Sequence, residues 1–147
     1  MEYAIENEYL IVTVTTWGAQ VKSVVRKFDD VEHMWQADKS VWGYHAPILF
    51  PHTGKVVDDL IETKGEVYQA KQHGFARLME HTLVLQTEDT IVMELRSSEE
   101  TLRIFPYAFR LVSTFTLDGD EAAISEAKDV LAKKGATYQN VYFASDG

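Results

Sequence analysis

Across Gln72-His73-Gly74-Phe75-Ala76-Arg77 the chain sets an imidazole, a glycine and a guanidinium within six residues. An unperturbed imidazole has a pKa of about 6.5, which suits proton transfer near neutrality. Gly74 lets a ligand or another backbone approach closely. Arg77 offers a planar fork of donors to hydroxyls or to an anion. The same residues also fit a core histidine beside a tight bend with Arg77 on the surface, and residue types alone favour that plainer reading. A second candidate is Ala46-Pro47-Ile48-Leu49-Phe50-Pro51-His52-Thr53-Gly54-Lys55, where two prolines bracket an apolar trio and His52 and Lys55 stand at the exit. It reads equally as a binding loop or a buried crossover. Trp17, Trp35 and Trp42 offer faces for stacking on sugar rings, although tryptophan more often packs a core or an interface.

Other chemistries find little support. The five histidines, at 33, 45, 52, 73 and 81, form no His-x-His or His-x-x-x-His pair, so no metal is expected. A Gly-x-Ser-x-Gly nucleophile elbow is absent, and Gly54-Lys55 lacks both the upstream glycine and the following Ser or Thr of a phosphate loop. With no cysteine there are no disulfides, thiolate sites or cysteine nucleophiles.

The elements that must position these residues follow from periodicity. Leu10, Val12 and Val14 alternate against Ile11, Thr13 and Thr15, which predicts a strand within Glu8–Thr16. A second strand is expected over Val21–Phe28 and a short third at His33-Met34-Trp35. Trp42–Lys55 reads as a long irregular loop, a kind of segment that is usually functional. Leu60–Tyr68 reads as a hairpin turning at Lys64-Gly65, and Thr82–Gln86 with Ile91–Arg96 as another. Ser97, with Glu100 three residues on, predicts a capped helical turn. A long strand over Phe109–Leu117 closes at Asp118-Gly119. Short strands at this spacing imply an antiparallel β-sandwich. Ala123, Ile124, Ala127, Val130 and Leu131 instead recur at helical spacing ahead of Gly135, which predicts a helix over 121–134, and Tyr138–Ala144 reads as a final strand.

Length and charge bound the rest. At 147 residues the chain suits one domain, and 12% aromatic residues are too many for a chain that stays unfolded. A net charge of -9 disfavours nucleic acid and anionic membranes as partners. The acidic start has no basic region followed by an apolar stretch, and no apolar run approaches the ~20 residues of a membrane span. A cytoplasmic location is expected.

Taken in order, Gly18-Ala19, then Trp35 with Asp38 and Trp42, Ala46-Pro47 to Gly54, His73-Gly74-Phe75-Ala76-Arg77, and Phe105-Pro106-Tyr107 with Phe109 resemble the aldose 1-epimerase (galactose mutarotase-like) family, in particular its LacX-type branch. The likeness runs from about Asn7 to Asp120. It implies a large antiparallel β-sandwich, all-β in class, that interconverts the α and β anomers of a hexose or hexose phosphate by acid/base catalysis with no metal or organic cofactor. The resemblance makes His73 the catalytic-site histidine near the sugar ring oxygen and Arg77 a substrate contact. Lys55 becomes a further substrate contact, at a position where LacX-like relatives usually carry Arg.

The family's second histidine and its glutamate base have no counterpart here, and its members run to roughly twice this length. The expectation is therefore a single domain over 1–147, the N-terminal portion of a mutarotase-like sandwich, weakly active or inactive by itself. Dimerisation is expected to cover exposed sheet faces. A non-catalytic carbohydrate-binding module, or a structural domain that pairs through a sheet edge, stands as the alternative.

Overall fold

The computed structural model describes residues 1–119, 121–130 and 136–144; beyond Gly119 it describes the backbone path, with the side chain of Ala122 alone. The first sheet is a meander of β1 (Glu2–Glu6), β2 (Leu10–Thr15), β3 (Gln20–Arg26) and β4 (Val31–Glu32), ordered as in the chain. The second contains β7 (Thr82–Gln86), β8 (Thr90–Arg96), β9 (Phe109–Asp118), β10 (Glu121–Val130) and β11 (Ala136–Ala144), in the order β11-β10-β9-β8-β7. All pairings within both sheets are antiparallel. Between them in sequence, β5 (Leu60–Thr63) and β6 (Glu66–Gln69) form a separate hairpin that turns at Lys64-Gly65, as expected.

The period-two pattern sets the core. Leu10, Val12 and Val14 of β2 point inward and are buried, as do Phe109, Leu111, Phe115 and Leu117 of β9 and Ile91, Met93 and Leu95 of β8. They join one apolar cluster that spans both sheets. Burying each such side chain contributes roughly 1.5–3 kcal/mol. β1 is a strand the sequence reading lacks; its Ile5 is buried and its backbone runs along β2.

Three expectations are corrected. The strand at His33–Trp35 is replaced by the two-residue β4, because the Glu32 carboxylate accepts the Val24 N–H at 2.9 Å and the Met34 N–H at 2.8 Å, consuming groups a longer ladder would need. The helical turn exists as α1 (Glu99–Ile104), but its cap is Ser98, which accepts from Thr101 N–H while Thr101 Oγ1 accepts from Ser98 N–H. The helix expected over 121–134 is β10 across Glu121–Val130, and residues 131–134 lie outside the described residues. β10 pairs with β9 along its whole length, from Glu121↔Asp118 to Val130↔Phe109, and with β11 on its other edge. Two ladders satisfy its backbone groups, and tertiary pairing outweighs the helix propensity of Ala, Glu and Lys.

The path from Trp35 to Val56 is largely irregular, and it contains the Trp42–Lys55 segment expected as a loop. Among the described residues no helix is long and apolar enough to cross a membrane.

Candidate functional site

The His73–Arg77 segment is a bend followed by a 3-10 turn, Ala76–Leu78. The four-residue spacing of His73 and Arg77 therefore does not act through strand alternation here. His73 and Gly74 both take positive φ, +65° and +71°. A Cβ on Gly74 would lie 2.0 Å from the Phe50 carbonyl oxygen, so only glycine lets these two backbones meet. That carbonyl accepts the Phe75 N–H at 2.9 Å. Gly18 performs the same service from the other side: a Cβ there would lie 2.6 Å from the Arg77 carbonyl oxygen.

His73 is clamped to the preceding loop by two bonds. Its N–H donates to Gly54 O at 2.9 Å, and the Gly54 N–H donates to its Nδ1 at 2.9 Å. A neutral imidazole that accepts at Nδ1 carries its proton on Nε2. Nε2 lies 3.4 Å from the Gln72 side-chain amide nitrogen, and turning that amide end for end presents its oxygen to accept the Nε2–H. Arg77 Nη2 donates to the Gln72 carbonyl at 3.0 Å, and the guanidinium carbon sits 4.8 Å from the centre of the Tyr44 ring. Its Nε is buried without a hydrogen-bond partner.

The aromatic surface continues from Tyr44. Trp42 lies 5.9 Å from it, and the Trp35 indole N–H donates to Trp42 O at 2.8 Å. Trp35 and Trp42 keep large exposed faces. Asp38 sets this turn: its backbone oxygen accepts from Trp42 N–H, and its carboxylate accepts from the Ser40 hydroxyl and N–H. Those two Ser40 bonds hold the Asp38 carboxyl below the usual carboxylate range.

Contacts thus run without a break from Trp42 through Tyr44, Arg77 and Gln72 to His73 and Gly54. Lys55 follows Gly54 directly, but its ammonium is mostly exposed and faces Asp59 at 3.7 Å. Trp17 stands elsewhere, bridged by its backbone to Glu80. His81 is buried, and its ring Nε2 bonds the Ala76 carbonyl at 3.0 Å, supporting the turn that carries Arg77. Burial pushes the His81 imidazole below its ordinary pKa, against the opposing pull of the Ala76 carbonyl and the Glu80 charge.

Tyr44 and Gln72 are contributors that sequence reasoning left without a role. Gln72 acts through its backbone oxygen, which has no sequence signal, and Tyr44 reaches Arg77 across more than thirty residues. Among the described residues, no three His, Asp or Glu side chains come together in a group that could hold a metal ion. The assembled donors are an imidazole N–H and a guanidinium beside flat aromatic faces, a set suited to a neutral polyol or an anionic derivative of one.

A family model described as aldose 1-epimerase matches residues 1–137. Among curated proteins the chain is similar to protein LacX of Lactococcus lactis subsp. lactis, 34% identical over 124 residues, covering 81% of this chain and 41% of LacX. Among solved structures it is similar to a galactose mutarotase related enzyme from Lactobacillus acidophilus, with TM-score 0.87 and 34% identity over 88% of this chain and 43% of that one. A galactose mutarotase-like protein from Lactobacillus casei gives TM-score 0.81 and 30% identity, over 88% of this chain and 45% of that one. The chain spans less than half the length of these relatives.

Proposed function

The chain belongs to the aldose 1-epimerase family, and from that premise we propose that the surface running from Trp42 to His73 binds an aldose, a hexose or hexose phosphate. A protein of the relatives' full length would interconvert its α and β anomers. In that reaction one group protonates the ring oxygen while another takes the proton of the anomeric hydroxyl. The bond from C1 to the ring oxygen breaks, the open-chain aldehyde rotates about C1–C2, and closure gives the other anomer. Neither a metal nor an organic cofactor is needed.

In this reading His73 donates its Nε2–H to the ring oxygen, Arg77 grips hydroxyls or a phosphate, and Trp42 stacks on the apolar face of the ring. Lys55, freed from Asp59, adds a second cation for a phosphorylated sugar. The observation that carries the reading is the Gly54 N–H bond to His73 Nδ1, because it commits Nδ1 as acceptor and leaves Nε2–H to donate. Proton transfer needs an acid and a base held in opposition, each contributing roughly 10²–10⁴-fold. The family's second histidine and glutamate are not matched here, so these 147 residues alone bind sugar weakly and do not turn it over. The exposed tryptophan faces support the alternative, a carbohydrate-binding module without catalysis. We place the protein in the cytoplasm, with self-association along edge strand β7, where Val84 and Leu85 are about half exposed.

The test is saturation-transfer NMR on glucose and glucose 6-phosphate. The reading expects millimolar binding that His73→Ala removes, and anomer exchange no faster than in buffer of equal imidazole content. A rate clearly above buffer and abolished by His73→Ala would refute the claim that these residues bind without turnover. Absence of any binding would refute the sugar site itself.

A further inference from the structure

Trp42, the ring given the stacking role in the sugar surface, stands on an irregular loop. A ring on a free loop loses that freedom when it binds, and fixing it beforehand removes the loss. Here the backbone on both sides of the Trp42 side chain is tied. Its N–H donates to Asp38 O at 2.8 Å, and its carbonyl accepts the Trp35 indole N–H at 2.8 Å. The Trp35 ring therefore braces the Trp42 peptide.

His45 holds the brace. Its Nδ1 lies 2.8 Å from the Trp35 carbonyl oxygen. A carbonyl only accepts, so Nδ1 carries the proton and donates. The His45 N–H in turn donates to Gln20 Oε1 at 3.1 Å, and Gln20 is buried at the start of β3. A continuous line of hydrogen bonds thus runs from the first sheet through His45 and Trp35 to Trp42. Tyr44, the residue before His45, packs 5.9 Å from the Trp42 ring and against Arg77, so the same anchor lies beside both sugar-facing groups.

We propose that His45 is a positioning residue of the sugar surface: its Nδ1–H fixes the Trp35 peptide, Trp35 fixes that of Trp42, and the Trp42 face is held ready to stack on the ring of an aldose. The proposal rests on the sugar reading of that face. His45 Nε2 has no part in it. Leucine at position 45 fills similar space but leaves the Trp35 carbonyl to water. Asparagine restores a donor, because its amide nitrogen is bonded to Cγ as Nδ1 is, and it places nothing where Nε2 stood.

The test compares the 147-residue protein with His45→Leu and His45→Asn by NMR. In the unsubstituted protein, long-range ¹H–¹⁵N spectra should show the His45 proton on Nδ1; a proton on Nε2 alone would overturn the proposal without recourse to any variant. Before sugar is added, the Trp35 indole N–H should exchange faster with solvent in His45→Leu and return to its original rate in His45→Asn. Unchanged exchange in His45→Leu would break the line of bonds and overturn the proposal. Glucose and glucose 6-phosphate are then titrated. His45→Leu should weaken the tighter-binding sugar about fivefold, the effect of one hydrogen bond, and His45→Asn should restore the affinity. Full affinity in His45→Leu, or equal weakening in both variants, would overturn the positioning role and leave the sugar reading standing. No binding of either sugar by the unsubstituted protein would overturn the sugar reading and the proposal with it.

Discussion

Gly74 packs directly against the backbone of Phe50: a Cβ at position 74 would lie 2.0 Å from the Phe50 carbonyl oxygen and 2.4 Å from its carbon. This contact draws the apolar loop through Phe50 onto the turn that presents His73 and Arg77. Gly74→Ala must both adopt a left-handed conformation and push two backbones apart, and should cost about 3 kcal/mol. Urea unfolding measures it. An unchanged midpoint would mean that the loop and the turn are not in contact.

His81 gives the fold a pH dependence. Burial lowers its pKa in the folded state, so below about pH 6.5, the ordinary value, the unfolded chain binds a proton the folded one refuses. Stability is then fully present above that pH and declines as pH falls toward the folded-state value. Unfolding free energies between pH 7 and 5.5 should decrease on acidification in the natural protein and decrease less in His81→Gln. The lowered carboxyl groups of Asp29, Glu32 and Glu94 act in a more acidic window. Identical slopes in the two proteins would remove His81 from this role.

The two serines before α1 separate cleanly. Ser98→Ala removes the acceptor for Thr101 N–H and should cost about 1 kcal/mol. Ser97 enters the structure through its backbone N–H, which donates to Phe109 O, and Ser97→Ala should stay within about 0.5 kcal/mol. Thermal or urea unfolding of both variants decides between them, and a reversed order would restore the capping residue expected from sequence.

Much of this fold is legible in the residue pattern, and the failures have a common cause. β2, β8 and β9 alternate strictly because one face is core, and the Lys64-Gly65 turn, with both residues at positive φ, marks its own hairpin. β10 misleads because its Ala, Glu and Lys content encodes local preference, whereas its conformation is set by β9 and β11. His33–Trp35 fails for a related reason, since the Glu32 side chain intercepts ladder hydrogen bonds that no residue-type rule foresees. The His73 string is visible as a cluster of chemistry, but the arrangement depends on backbone contacts from Gly54, Phe50 and Gln72, which residue identity does not report.

Arg77 is held by geometry that a lysine cannot reproduce. Its fork bonds the Gln72 carbonyl while its plane lies near Tyr44. Arg77→Lys should preserve the fold and weaken hexose binding roughly tenfold, as expected for losing a charge-assisted hydrogen bond. NMR titration checks both parts, and unaltered affinity would exclude Arg77 from the sugar surface.

The role of His73 rests on which ring nitrogen holds the proton. Long-range ¹H–¹⁵N spectra of the imidazole should show His73 protonated on Nε2, with Nδ1 accepting from Gly54, and adding glucose should shift Nε2 while leaving Nδ1 in place. A proton on Nδ1, or a His73 ring that does not respond to sugar, would contradict the account.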